Sequence, residues 1–237
     1  MQRYIFNPFS ILMVLILIVA AIILIPFLFL GIIGGALTNL GFSWLQAIGL
    51  ILLILIGSLV NIPVTTIREA KTPHTPPRGQ FAPSLYEGMY REQPPARMTQ
   101  VAVNLGGAVI PVLISAYLLF HTFVVMGDQA LFILAGVGVL VVTIVTHHFA
   151  RPVSGVGIAT PFFIPPLAAL ICGILLGGGG MGSVVIAYVS GTLGTLIGAD
   201  LLNFRKFGDL GAPVVSIGGA GTFDGIFLSG IIAAFLA

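Results

Sequence analysis

Two aspartates lie in strongly apolar sequence near the C-terminus of the chain. Asp200 follows the run VVIAYVSGTLGTLIGA, and Asp224 follows SIGGAGTF. A carboxyl group at membrane depth costs on the order of a few kcal/mol or more, so it marks a functional site by default. Two carboxyls in contact share one proton, because like charges split their pKa values into a base and an acid. The pair of Asp200 and Asp224 therefore predicts the chemistry of aspartic proteolysis.

The composition indicates that these carboxyls belong to a membrane protein. The chain is 58% hydrophobic and 7% charged, with a mean hydropathy of +1.16. A water-soluble domain with this composition would expose a very large apolar surface, so the lipid bilayer is the expected partner. The net charge of +2 gives no indication of nucleic-acid binding. The single cysteine, Cys172, cannot form an intrachain disulfide.

Seven apolar stretches are long enough, or nearly so, to cross a hydrocarbon core of ~30 Å at ~1.5 Å per residue. They are Phe9–Gly31, Leu45–Val64, Val101–Phe120, Leu131–Thr146, Pro161–Gly177, Val184–Phe204 and Val214–Leu236. The predicted fold class is therefore all-α, a polytopic membrane protein with about seven transmembrane helices.

The basic residues alternate between the connections and predict an orientation. All nine lie at the N-terminus or in the second, fourth and sixth connections: Arg3, Arg68, Lys71, Arg78, Arg91, Arg97, Arg151, Arg205 and Lys206. The opposite connections carry only Asp128. Because positive residues stay on the cytoplasmic side, the N-terminus is expected in the cytoplasm and the C-terminus outside.

A proline-rich polar segment divides the chain into three parts. Residues 1–64 are predicted as a two-helix transmembrane hairpin, residues 65–100 as a cytoplasmic loop, and residues 101–237 as a five-helix unit that carries both aspartates. The prolines of the loop forbid a continuous helix. The loop is expected to be a linker, or else a gate or docking strip with Tyr86, Met89 and Tyr90 as its apolar contacts.

The glycine-rich sequence before Asp224 predicts a break in the last span. A regular helix from Val214 would carry Asp224 ~15 Å into the membrane, out of reach of Asp200. Glycine is a poor helix former, so residues 218–221 are expected to be irregular, with a helix that begins near Thr222 as its N-cap. The helix N-terminus would then favour an ionised Asp224 as the base and leave Asp200 as the acid. The residues expected to shape the site are Gly218, Gly219, Gly221, Thr222 and Gly225.

The run SIGGAGTFDGIFLSGIIA, with GTLIGADLLN upstream, resembles the signature of an uncharacterised prokaryotic family of polytopic membrane proteins. More distantly, the run from Gly219 to Asp224, followed by Gly225-Ile226-Phe227, is similar to the GxGD signature of presenilin, signal-peptide-peptidase and prepilin-peptidase type intramembrane aspartyl proteases. The resemblance implies a prokaryotic cell membrane, a presenilin-like arrangement of the last helices and a transmembrane peptide or protein substrate. Pro165-Pro166-Leu167 then stands for the Pro-Ala-Leu motif of those proteases.

Several other functions remain open for the same residues. Asp200 near a span end could pair with Arg205 or Lys206, and Asp224 could simply cap the last helix. An ion- or proton-coupled transporter or channel would use both aspartates as coordination or protonation sites. A third possibility is a membrane scaffold without chemistry.

The remaining polar residues at depth are secondary candidates. Asn61 and Asn104 are expected to form interhelical hydrogen bonds. His148 is expected near lipid headgroups, and no histidine has Cys or Glu partners at metal-ligand spacing, so no metal is predicted. No phosphate loop or dinucleotide fingerprint is present, so no cofactor is predicted either.

Overall fold

The computed structural model describes residues 8–68, 98–153, 157–219 and 225–237. These residues are mostly helical (73%), consistent with the predicted helical class. The described α-helices are α1 (Pro8–Asn39), α2 (Trp44–Gly57), α3 (Ile110–Phe120), α4 (Gln129–Phe149), α5 (Ile164–Leu176), α6 (Gly180–Thr195) and α7 (Gly225–Leu236). Turns of π-helix extend α3 at both ends (Leu105–Val109 and His121–Val125) and α6 at its C-terminal end (Leu196–Leu201).

Four helical stretches of the described chain can cross a membrane, judged by length and composition alone. They are Leu12–Asn39, Leu105–Val125, Gln129–Phe149 and Gly180–Leu201. The helices α2, α5 and α7 have 14, 13 and 12 residues, or about 18–21 Å. Since the hydrocarbon core is ~30 Å thick, four helices are long enough to be candidates for the seven predicted crossings, and α2, α5 and α7 are shorter than the core.

Helix α6 is the centre of the helical body. Twelve of its sixteen residues are buried, and it packs against α4, α5 and α7. Small residues allow the close approach: a Cβ on Gly191 would meet the main chain of Gly230 on α7, and one on Gly194 would meet Val142 on α4. Close packing at glycine is the usual way for helices to associate in lipid.

Helix α1 lies largely outside this body. Its apolar side chains from Leu12 to Leu28 are almost all exposed, and only its C-terminal part, including Ile33 and Leu37, is buried. An exposed apolar surface of this kind is expected to contact lipid.

Two small sheets accompany the helices in the described residues. The strands are β1 (Asn61–Arg68), β2 (Met98–Asn104), β3 (Arg151–Val153), β4 (Gly157–Ala159) and β5 (Val214–Ile217). The larger sheet has the order β1-β2-β5, with β1 antiparallel and β5 parallel to β2. Strands β3 and β4 form an antiparallel pair.

These strands correct three of the predicted spans. The stretch Leu45–Val64 is helical only to Gly57 and then becomes β1, Val101–Phe120 begins in β2, and Val214–Leu236 begins as β5. The runs NIPVTTIR and VVSI are rich in β-branched residues, which favour strands, whereas hydropathy alone does not separate strand from helix in short apolar runs. Hydropathy therefore predicts these strands as parts of the neighbouring helices.

The predicted break in the last span is observed. Strand β5 ends at Ile217, Gly218 has a φ of +69°, and the described part of α7 is Gly225–Leu236. The expected helix start at Thr222 lies outside the described residues. An unbroken helix from Val214 to Leu236 is excluded.

A second apolar core attaches the larger sheet to the end of α6. It joins the buried Val101, Val215 and Ile217 of the sheet to Phe207 and Leu210 of a 3-10 helix, Phe204–Leu210. This 3-10 helix follows the π-helical turn of α6 directly, so the sheet is held beside the residues that end α6.

Candidate functional site

Asp200 lies in the π-helical turn that ends α6. The wider turn is visible in the bond from the Leu202 amide to the Ile197 carbonyl, 2.9 Å, which spans five residues. Turns of this kind are rare and are frequent at functional sites. The Asp200 side chain is half-buried.

A cavity of about 280 Å³ lies beside Asp200. Its wall combines the end of α6 with β1, β4, β5 and the chain that follows β5. The lining residues are Asn61, Gly157, Ile158, Asp200, Phe207, Val214, Val215, Ser216, Gly218 and Gly219. The structure thus brings Asp200 together with three other residues singled out in the sequence, namely Asn61, Gly218 and Gly219.

A hydrogen-bonded cluster of two amides and a hydroxyl forms one side of this region. The Asn61 Oδ1 accepts hydrogen bonds from Ser216 Oγ at 2.6 Å and from Asn104 Nδ2 at 3.1 Å. Asn104, which is buried, also donates to the Ser58 carbonyl at 2.8 Å and accepts from the Gly107 amide at 2.8 Å. The expected interhelical role of Asn61 and Asn104 is therefore wrong in detail, because they connect strands and the entry to α3.

Glycines bring two chain segments into direct contact next to the cavity. A Cβ on Gly107 would overlap the carbonyl oxygen of Gly218, and one on Gly218 would overlap Ala108. A Cβ on Gly219 would overlap the Ser216 hydroxyl. Only glycine allows the segment entering α3 to touch the segment leaving β5, and Gly218 also needs its positive φ for the turn.

Strand β5 is an edge strand. Among the described strands it pairs only with β2, and its Val214, Val215 and Ser216 line the cavity with Asp200. Every second main-chain amide and carbonyl of an edge strand points away from its partner and is able to pair with another chain. Asp200 therefore lies next to the side of β5 that pairs with no other described strand.

A second polar cluster forms hydrogen bonds to the main chain of the π-helical turn. The Asn203 Nδ2 donates to the carbonyls of Ala199 at 2.9 Å and Gly198 at 3.1 Å, while Lys206 donates to Asn203 Oδ1 at 2.8 Å. The His147 Nδ1 lies 3.3 Å from both the Gly198 carbonyl and the Asn203 Nδ2. Side-chain capping of this kind fixes the backbone on both sides of Asp200.

Three of these residues are not evident from the sequence. The predicted candidate His148 is exposed and packs edge-on against Phe149, whereas His147 is the histidine that contacts the turn. Asn203 carries a weak signal, an amide just after a helix end where free carbonyls need donors. Ser216 would have been found only with β5 recognised, since its partner Asn61 is distant in the sequence.

The other predicted site residues have separate outcomes. Asp224, Gly221 and Thr222 lie outside the described residues, and Gly225 begins α7. Pro165 and Pro166 are buried at the first turn of α5, where proline suits a helix start, and they do not line the cavity of Asp200. In the described part of the chain, no group of three or more His, Cys, Asp or Glu residues is placed to hold a metal.

Helices α6 and α7 run antiparallel and contact each other closely. The Thr195 hydroxyl donates to the Ser229 hydroxyl at 3.0 Å, and both residues are buried. The neighbouring contact between Gly191 and Gly230 has the opposite order along the two helices, as antiparallel packing requires. The contacts of Thr195 with Ser229 and of Gly191 with Gly230 fix the position of α7 along the axis of α6.

Four long apolar helices, an apolar outer surface and an acid-lined cavity beside a small sheet are features of a polytopic membrane protein. The model of a family described as "Protein of unknown function (DUF1614)" matches residues 55–236. The chain belongs to this family, and the matched residues include every described helix and strand except α1 and most of α2. No curated protein and no solved structure matches the chain.

Proposed function

We propose that the protein is an intramembrane aspartyl protease that uses Asp200 and Asp224 to hydrolyse peptide bonds. The proposal rests on one cavity, which is lined by Asp200, by residues of β5, and by Gly218 and Gly219 after β5. The Asp200 carboxyl, the segment that leads to Asp224, and a strand edge that would bind the substrate therefore lie beside the same cavity.

The register of α6 and α7 supports the pairing of the two aspartates. Asp200 lies five residues after Thr195, and Asp224 lies five residues before Ser229. The two helices are antiparallel and Thr195 contacts Ser229, so the two aspartates have equal offsets from that contact in the sequence, one after it and one before it. Equal offsets from a contact point on antiparallel helices favour two side chains at the same depth.

The chemistry follows from the two carboxyls. One carboxylate removes a proton from a water molecule, the water attacks the scissile carbonyl carbon, and the protonated partner donates a hydrogen bond to the developing oxyanion. Asp224, just before α7, is the proposed base and Asp200 the proposed acid, although a coupled pair titrates jointly. The edge of β5 would hold the substrate main chain extended through strand pairing, which presents a peptide carbonyl beside Asp200.

The proposed arrangement in the membrane has seven crossings, with the last helices arranged as in presenilin. The N-terminus would lie in the cytoplasm of a prokaryotic cell and the C-terminus outside. The described basic residues support this orientation: Arg68 lies on β1, Arg151 on β3, and Arg205 and Lys206 on the 3-10 helix, all at the cavity end, whereas Asp128 lies at the other end of α4.

The test is hydrolysis of a transmembrane peptide by the purified protein in detergent. Asp200→Asn and Asp224→Asn keep the side-chain volume but not the charge, so each should lower the cleavage rate more than about 100-fold. Asp209→Asn is the matched control, because Asp209 is exposed on the 3-10 helix outside the cavity. A panel of helical substrates with no cleavage that depends on Asp200 and Asp224 would end the proposal.

An ion- or proton-coupled transporter is the second candidate. Strand β5 and the turn at Gly218, which interrupt the predicted last span, and the π-helical turn at Asp200 favour it, because broken helices with buried acids form coordination sites in transporters. Reconstituted vesicles should then show ion or proton flux that Asp200→Asn reduces in a graded way, without peptide cleavage. A scaffold predicts that both aspartate variants behave as the unmodified protein in every assay.

A further inference from the structure

A second cavity, of about 140 Å³, lies at the opposite end of α6 from Asp200. It is bounded by the turn between α1 and α2, the last turns of α3 and the first turn of α6. Met181 in its wall precedes Asp200 by 19 residues, so the two cavities are about 28 Å apart along the helix. The proposed hydrolysis makes no use of this cavity.

Three side chains with soft or borderline donor atoms line this small space. They are the imidazole of His121 and the thioethers of Met126 and Met181. The π-helical turn connects the first two, since the Met126 amide donates to the His121 carbonyl at 2.9 Å. Met181 comes from α6, and Gly41, with a φ of +91°, allows its approach, because a Cβ there would lie 3.0 Å from the Met181 methyl.

The His121 ring is oriented by aromatic packing. Its centroid lies 5.9 Å from that of Tyr117, which in turn lies 5.6 Å from Phe42. Among the described histidines, only His147 forms a hydrogen bond through its ring with another described residue. The described contact of the His121 ring is with an aromatic ring, so its nitrogens are available to a ligand. Met126 and Met181 are 52% and 44% exposed, and methionine side chains adapt readily to a ligand.

We propose that this cavity binds a soft monovalent metal ion, Cu(I) or its analogue Ag(I). Thioether and imidazole donors select Cu(I), whereas Ca²⁺ and Mg²⁺ require several oxygen ligands. No carboxylate lines the cavity. A neutral set of donors suits a cation of single charge, because each added charge raises the cost of removing the ion from water.

The surroundings favour entry of a cation from the adjacent surface. Asp128 lies two residues after Met126 and caps α4 by accepting a hydrogen bond from the Leu131 amide at 2.9 Å. Its main-chain amide also donates to the carbonyl of Thr122, a residue of the cavity wall, at 3.1 Å, so a negative charge is carried next to that wall. The histidine spacing alone predicted no metal, because methionine was not counted as a ligand and Met181 comes from a different helix, α6, than His121 and Met126.

The experiment measures Cu(I) binding to the full-length protein in detergent, under reducing and anaerobic conditions, by competition with a chromogenic Cu(I) chelator. We expect one equivalent of Cu(I) per chain and no comparable binding of Zn(II). Met126→Leu and Met181→Leu should each weaken Cu(I) binding by more than about tenfold, and adding His121→Gln should remove it. Met98→Leu, an exposed methionine of β2, is the matched control and should bind as the unmodified protein does.

A measurement on the unmodified protein guards against variants that fail to fold. Ag(I) should protect Met126 and Met181, but not Met98, from oxidation by peroxide, as mapped by mass spectrometry of peptides. Absence of binding at micromolar Cu(I), binding unchanged in the triple variant, or equal oxidation of all three methionines would each overturn the proposal.

Discussion

Ser216 on β5 donates a 2.6 Å hydrogen bond to Asn61 on β1, although β2 lies between the two strands. Asn104 of β2 also donates to Asn61, so three strands share one polar cluster on the same face of the sheet. The cluster holds the cavity edge of β5 in a fixed position relative to the entry to α3.

Removing the central amide of this cluster should destabilise the protein. Asn104→Ala leaves the Ser58 carbonyl and the Gly107 amide without their buried partner, so the free energy of unfolding should fall by about 2–3 kcal/mol. Thermal unfolding in detergent would show a melting temperature lower by about 5–10 °C. Gln100→Ala, an exposed position on the same strand, is the control and should change little. Equal melting temperatures for the two variants would contradict the role given to Asn104.

The contact between Gly107 and Gly218 should tolerate no side chain. In Gly107→Ala the added methyl group overlaps the Gly218 carbonyl, and both partners are backbone, so neither can move aside without shifting a segment. The yield of monodisperse protein should fall sharply. Gly136→Ala is the matched control, because a Cβ there meets nothing within 4 Å and the change favours the helix. A Gly107→Ala protein as stable as this control would contradict the close backbone contact.

The register of α6 and α7 predicts a crosslink between the positions of the two aspartates. In a Cys172→Ala background, which removes the only natural cysteine, Asp200→Cys and Asp224→Cys together should be joined by oxidation or by a short thiol-specific reagent. A disulfide requires Cα atoms within about 7 Å, so its formation would place the carboxyls in reach of each other. The pair Asp209→Cys and Asp224→Cys serves as the control. If no reagent shorter than ~10 Å joined the two cysteines, Asp200 and Asp224 could not act as a pair.

The orientation of the chain predicts which side of the membrane exposes residues 65–100. In inverted membrane vesicles an added protease should cut this segment, whereas in intact cells it should not, because its arginines and Lys71 favour the cytoplasmic side. A cleavage-resistant variant with residues 69–97 replaced by a glycine-serine linker keeps β1 and β2 and controls for cuts elsewhere. Cutting in intact cells would reverse the proposed topology.

The sequence predicted the helices better than the strands. Hydropathy predicted Leu131–Thr146 within a few residues of α4, and the glycine run predicted the break before α7. The strands were missed because β1, β2 and β5 are short apolar runs directly beside helices, where composition gives one continuous signal. Tertiary contacts decide these segments, since β2 pairs with β5 more than a hundred residues away.

Only part of the site could be inferred from local sequence. Asp200 was found because a charge in apolar sequence is conspicuous, and Gly218 because glycine runs interrupt helices. Ser216, Asn203 and His147 are ordinary polar residues whose role depends on which carbonyl or amide the fold places beside them. No local pattern contains that information.

Two short helices next to the larger sheet, α2 before β1 and α7 after β5, have a consequence for the surrounding lipid. Helices α2 and α7 cover about 18–21 Å, less than the ~30 Å of a typical hydrocarbon core. The mismatch is relieved when acyl chains next to these helices compress or when polar headgroups sink inward. Either response shortens the path from bulk water to the carboxyl of Asp200, so the bilayer itself becomes a means of hydrating the site.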